Sequence, residues 1–389
     1  MTPSPAPAPS AEALDALPVS VQTLIGGTGH LYASRDWLRV EEQVATEPPL
    51  YAWVDGDSAG TGAGDGDGDS AGAGTGTGRG GADGGGTAFA AAYRFDADSN
   101  PWPYARLDLF LRQLGLGEVA ADAVLPAYLL GGRRPGHSRV LTTGRPEARA
   151  ALLTRLVGHA AEAAAARGAA SLAALYCDRS DDDLAAAFAA HGGVRVDSYT
   201  SFVLDLPGSS WDDWLASLPR KRRQNEIHDS RKLAESGVHY SIAPLTHADI
   251  DWIVPLELDL YSKYGNDYLV DEARALHRAY LDRLGPDALL LRAERDGAPV
   301  GFVSLVRKGD TLYLRQAGFD QEACAGTPVY FGAVFHAAVQ WAYAHGITSV
   351  DYSISADEVK LRRGCRALER DAWILPLSQG ARDALRALR

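Results

Sequence analysis

The hydrophobic pattern changes period several times along the chain. In RPEARAALLTRLVGHAAEAAAARG apolar residues recur at helical spacing until Gly168, and the next run, SLAALYCD, is apolar and only strand-long. Helix followed by strand is the α/β alternation, and LAAAFAAHG followed by VRVDSYTSFVLDLP repeats it, ending near Pro207. SSWDDWLASLPRKRRQNEIHDSRKLAESG then reads as one helix. Ser209 or Ser210 can cap it, Asp212 and Asp213 complement the positive end of its dipole, and Gly237 stops it. The remaining pattern predicts strand VHYSIAPL, helices over residues 248–264 and 271–284, and strands ALLLRAERD, APVGFVSLVRKGD and TLYLRQAGFD. A helix over 329–345 and strand SVDYSI complete it. The expected fold class is therefore mixed α/β (α+β sheets) with a central antiparallel run of strands. A break near residue 208 divides it into halves at 19–207 and 208–389.

One segment has no pattern to bury. Residues 55–86, DGDSAGTGAGDGDGDSAGAGTGTGRGGADGGG, cannot offset their own ordering entropy and should form a flexible excursion. Their flanks, LYAWVDGD and TAFAAAYRF, read as strands, so the segment is placed as an overgrown hairpin loop. The GDGDGD run superficially suggests calcium, but no apolar residue recurs at a repeat period to support that reading. Residues 1–18 read as a disordered leader.

Composition narrows the partners. With 389 residues and 46% hydrophobic content each half can own a core, and no apolar run reaches the roughly 20 residues of a membrane span. The N-terminus lacks a basic start and a continuous apolar stretch, so no secretory signal is expected. Cys177, Cys324 and Cys365 lie far apart without ligand spacing, which points to a reduced cytoplasm and no structural metal. A net charge of -12 disfavours DNA and any indiscriminate nucleic-acid binding; contact with tRNA would have to be local.

Three stretches carry a family resemblance: the basic helix LPRKRRQNEIHDSRKLAESGV, the Gly-turn hairpin AERDGAPVGFVSLVRKGDTLYLRQAGFD, and the ending HGITSVDYSISADEVKLRRG. Together they resemble the Fem-like aminoacyltransferases of the GNAT superfamily. Over residues 19–207 the resemblance rests on strand order and the fragment LYASRDWL. It implies two tandem GNAT-like domains and transfer of an acyl group to an amine of a small-molecule or cell-wall-precursor acceptor. The group would be aminoacyl, borne on tRNA. No cofactor is expected to be bound permanently; the donor is aminoacyl-tRNA or acyl-CoA. The region DQEACAGTPVYFGAVFHAA lacks the cation and Gly-rich loop of coenzyme A-dependent relatives, and Asp320 and Glu322 add negative charge there, which counts against coenzyme A.

Matched to the family's terminal lysine, Lys360 is expected in the cleft, stabilising negative charge as an ester is attacked. Asp351 would orient Lys360 or accept a proton from the amine, or simply end its strand. Arg222 and Arg223 on the basic helix are candidates for gripping a phosphate, set against a solvated helix face. Arg222 falls on the side of Leu215, Leu218 and Leu233, where a charge needs a partner or a polar cleft. In YSKYGNDY, Tyr264 and Tyr268 are candidates for lining the acceptor pocket, with capping and packing the plainer reading. Arg315 and Arg363 complete the substrate-binding set. Strand alternation places Arg315 and Gln316 on opposite sheet faces, and His336 and His345 read as structural. Two rivals remain open: an acyl-CoA-dependent N-acyltransferase and a catalytically idle GNAT-like binding module.

Overall fold

A computed structural model describes residues 14–56, 86–96, 103–265 and 268–388. Its first sheet contains β1 (Leu50–Asp55), β2 (Thr87–Phe95), β3 (Ala127–Leu130), β4 (Leu141–Thr142), β5 (Ser171–Asp178) and β6 (Val194–Asp197). Its second contains β7 (Ser201–Asp205), β8 (Val238–Pro244), β9 (Ala288–Arg295), β10 (Ala298–Lys308), β11 (Thr311–Phe319), β12 (Ser349–Ile354) and β13 (Arg366–Leu368). β14 (Arg370–Pro376) returns to the first. The orders are β1-β2-β3-β5-β14-β6, with β4 beside β2, and β13-β7-β12-β11-β10-β9-β8. Each sheet has one parallel pair, β3 with β5 and β11 with β12.

The chain crosses between the sheets twice, so they do not divide at 207/208. β7 precedes that point yet lies between β12 and β13, while β14, from the chain's end, lies between β5 and β6. Such pairings join strands over 140 residues apart in sequence (Val350↔Leu204, Asp371↔Cys177) and leave no local signal in the chain.

Strands buried on both faces explain the unbroken apolar runs. On one face of β5, Leu172 and Ala174 meet Leu153, Leu156 and Val157 of the helix Pro146–Ala166, while Ala173 and Leu175 pack into a second cluster with Phe95 and Leu111. On β10, Val303 and Leu305 pack toward the helical run 329–344, and Phe302 and Val306 toward helices His247–Lys263 and Val270–Leu284. The turn between β9 and β10 uses Asp296 and Gly297, both at positive φ, as a two-residue hairpin requires.

Two local expectations change and a third holds. The basic segment is two helices, Trp211–Ser217 and Arg220–Glu235, because Pro219 holds Leu218 extended. Residues Leu14 and Leu17 are buried, so the leader packs from Leu14 onward. The strands flanking the Gly/Asp segment pair from Leu50↔Ala92 to Asp55↔Thr87, and Gly56 N–H donates to the Gly86 carbonyl; residues 57–85 lie outside the described residues.

Candidate functional site

β11 and β12 pair only through Thr311↔Ser349, Leu312↔Val350 and Tyr313↔Asp351, and then diverge. Their facing backbone edges open onto a cavity of about 250 Å3 lined by residues 314–317 of β11, 352–356 and Lys360. Tyr261, Tyr264 and Tyr330 add aromatic walls, and Tyr104 and Pro135 close it from the first half. Tyr264 is 69% exposed and stands at the mouth.

A β-bulge shapes the β11 wall. Val303 pairs with Ala317 and Leu305 with Leu314, so Arg315 and Gln316 together oppose Ser304 alone. Strict alternation fails there, and both residues line the same cavity rather than opposite faces. The guanidinium of Arg315 lies 5.2 Å from the ring of Tyr32 and 5.3 Å from that of Trp37, and donates to the Tyr32 hydroxyl. Burial opposes its charge, but the oxygens of Tyr32 and Tyr280 outweigh this and raise its pKa.

The β12 wall is strained. Ser353, Ser355 and Ala356 have φ of 55°, 67° and 55°, left-handed values that cost non-glycine residues on the order of 1–3 kcal/mol each. Lys360, from the short helix Asp357–Leu361, holds this turn: its ammonium donates to the carbonyls of Tyr352 (2.7 Å), Ser353 (3.4 Å) and Ile354 (2.6 Å). Burial draws its pKa down to about 8.

Asp351 is not Lys360's partner. It is buried against His137, with Nε2 to Oδ2 2.6 Å, and its Oδ1 accepts the Ser353 N–H at 2.7 Å. Burial works against its ionisation, but His137 and the Ser353 N–H prevail and hold the carboxyl below its usual range.

Arg222, Arg223 and Arg363 also lie away from the cavity lining. Fully buried Glu226 pairs with Arg222, with Arg363 at 3.1 Å and with His336 Nε2 at 2.7 Å. Arg363 is sandwiched over Phe331 and Phe335, and Arg223 donates to the Leu218 carbonyl. The partner that Arg222's position demanded is thus a carboxylate one helical turn on, a spacing visible in the sequence. His336, read as structural because no acid sits at helical spacing from it, has an acid from another helix. Tyr268 packs edge-on to Tyr261 behind the wall; Asp267, its neighbour in the same cluster, lies outside the described residues.

A second cavity, about 520 Å3, lies between the basic helix, β8 and the helical run after β11, and Ser230, His336 and Glu226 line up beside it. Burial and then Arg363 lower the His336 pKa to about 4, too weak a base to activate Ser230 near neutral pH.

The loop before Val329–Phe331 carries its own anion. Asp320 Oδ1 accepts the N–H groups of Glu322 and Ala323, both at 2.9 Å, and Arg295 braces the loop through the Ala323 carbonyl and Thr327 hydroxyl. Among the described residues no three His, Cys, Asp or Glu side chains gather as a metal-binding group, and no helix is long and apolar enough to cross a membrane.

The chain is similar to several solved structures. FemX superposes with a TM-score of 0.57 at 11% identity, over 96% of this chain and 99% of that one. The C-terminal domain of a putative lysylphosphatidylglycerol synthetase from Agrobacterium fabrum gives 0.47 at 13% identity, over 77% and 84%. A tandem GNAT protein from the clavulanic acid biosynthesis pathway gives 0.40 at 17%, over 74% and 99%. No curated protein matches the sequence. The model of the FemAB-like family, described as peptidoglycan biosynthesis/recognition, matches residues 135–387. That span takes in the parallel pair β11 and β12, the bulge and the Lys360 turn, and the chain belongs to the FemAB-like family of acyltransferases.

Proposed function

We propose that this acyltransferase moves an aminoacyl group from its ester on tRNA to an amine of a small-molecule or cell-wall-precursor acceptor. The splayed edges of β11 and β12 suit an acyl chain that pairs with backbone, and the aromatic mouth suits an incoming amine. In the reaction the amine nitrogen bonds to the ester carbonyl carbon, the bond to the ribose oxygen breaks, and the proton lost by nitrogen ends on that oxygen. The ester is already activated, so the protein's part is to position the amine and stabilise the oxyanion.

The donor choice rests on one observation: the loop that leads into the helix at Val329 already holds an anion, the Asp320 carboxylate on the N–H groups of Glu322 and Ala323, and its charge repels a pyrophosphate. Arg220 and Lys221, exposed at the start of the basic helix, offer a local phosphate contact on an otherwise acidic protein. Purified protein incubated with charged tRNA, and separately with acetyl-CoA, in the presence of candidate amines gives mass-spectrometric products that decide the donor. Aminoacylated amine is expected. Acetylated amine, with sub-micromolar coenzyme A binding by calorimetry, would overturn the reading in favour of the acyl-CoA alternative.

A further inference from the structure

Gln316 is 2% exposed, sits on the bulge and lines the cavity. Its amide has two ends, one accepting and one donating, and the surroundings determine which faces the ligand space. The Tyr280 hydroxyl lies 3.2 Å from Gln316 Oε1. Beside Tyr280 stands Arg315, whose buried guanidinium interacts favourably with that same phenol oxygen. A cation with only N–H donors turns the hydroxyl's oxygen toward itself, so the O–H points away, to Oε1. The carbonyl end of the amide is thereby taken. Among the described residues no acceptor takes the Nε2 hydrogens, which are left to the cavity.

We infer that Gln316 Nε2 donates a hydrogen bond to the acyl carbonyl of the bound donor and to the oxyanion formed on it, with Tyr280 and Arg315 acting as positioning residues. This rests on the acyl-transfer reading above. It gives the cavity the preorganised donor that Lys360 does not supply, since the Lys360 ammonium is committed to three backbone carbonyls. The donor is neutral, so it adds no charge to desolvate before the carbonyl polarises. The bulge is what makes the arrangement possible: without the extra residue, Gln316 would turn to the sheet face opposite Arg315.

The test uses the full chain and three variants: Gln316→Met, Tyr280→Phe and the pair together. The double variant removes the Tyr280 hydroxyl and the Gln316 amide together, so neither is orphaned by the other, and Arg315 keeps the Tyr32 hydroxyl as its partner. Single-turnover transfer from charged tRNA should fall about a hundredfold in Gln316→Met, the low end for loss of one oxyanion donor. Affinity for a stable amide analogue of 3′-aminoacyl adenosine should stay within about twofold, as expected for an interaction used mainly in the transition state. Tyr280→Phe alone, which frees the amide to flip, should show a smaller loss, and the double variant should be no slower than Gln316→Met. The carbonyl stretch of the 13C-labelled analogue should shift to lower frequency on binding the wild type and return in Gln316→Met. Wild-type turnover in Gln316→Met, or identical carbonyl bands in both proteins, overturns the assignment. If the wild type transfers nothing from charged tRNA, the aminoacyl reading fails, while the carbonyl band still decides for or against Gln316.

Discussion

His137 Nε2 lies 2.6 Å from Asp351 Oδ2, joining a loop of the first half to the strand that walls the cavity. The tautomer follows from the neighbours: Arg139 and Arg370 place guanidinium nitrogens 3.2 and 3.4 Å from Nδ1, and guanidinium can only donate. Nδ1 therefore accepts, and Nε2 carries the proton given to Asp351. Burial, against the pull of Asp351, keeps the His137 pKa below its ordinary value, so the imidazole is neutral.

Asp351→Asn should be costly, because both carboxylate oxygens accept, one from His137 and one from the Ser353 N–H. An amide must turn its NH2 toward one of two N–H donors. A loss of about 3–5 kcal/mol in denaturant unfolding is expected, the range for breaking a buried pair. Unchanged stability would mean that the pair does not join the halves.

Glu226 makes a comparable prediction about the basic helix. It balances Arg222, Arg363 and His336 while fully buried, so Glu226→Leu leaves two cations without their anion and should cost about 3–5 kcal/mol. Arg222→Met should likewise lower the unfolding midpoint while leaving tRNA affinity nearly intact. A salt-dependent loss of tRNA binding at unchanged stability would restore Arg222 to a phosphate grip.

The acid side of the stability curve tests His336. Its folded pKa is lowered, by burial first, from 6.5 to about 4. Between those values the unfolded chain binds a proton that the native chain does not, so stability is fully present above about pH 6.5 and declines as pH falls toward 4, by about 3 kcal/mol in all. Urea midpoints at pH 7 and pH 4.5 measure it. His336→Gln should flatten that dependence; an equally steep curve in the variant would assign the loss to other groups.

How much of this was legible in the chain depends on range. Local period marked β5, the strands from β9 to β12 and the helices between them, because apolar runs such as SLAALYCD and APVGFVSLV are buried on both faces. The exchange of β7 and β14 was not legible, since pairing across more than a hundred residues follows from assembly and not from any local motif. At the site, Lys360, Tyr264 and Arg315 do gather at one cavity, whereas Asp351, Tyr268, Arg222, Arg223 and Arg363 do not line it. Gln316 was hidden by the assumption of alternation, which one extra residue in β11 breaks. His137 gave no signal in the sequence: its acid is 214 residues away.

Lys360 is where the sequence expectation and the geometry differ most. A lysine that stabilises an oxyanion needs a free N–H aimed at it, yet all three donors of Lys360 have carbonyl partners in the turn 352–354. Lys360→Met should therefore lower stability as well as turnover, by about 3 kcal/mol if those carbonyls lose a charged donor together, and should weaken donor binding as the strained turn relaxes. Titration separates the two effects. The folded pKa is lowered, by burial, from 10.5 to about 8, so between these values the unfolded chain holds the extra proton and Lys360's contribution to stability rises with pH. Over the same range the clamp loses one of its three donors, and turnover should fall. Declining turnover above pH 8 with steady or rising stability, absent in Lys360→Met, is the expected result. A variant with native stability, native donor affinity and a turnover loss of about a hundredfold would instead return Lys360 to the role of a catalytic cation.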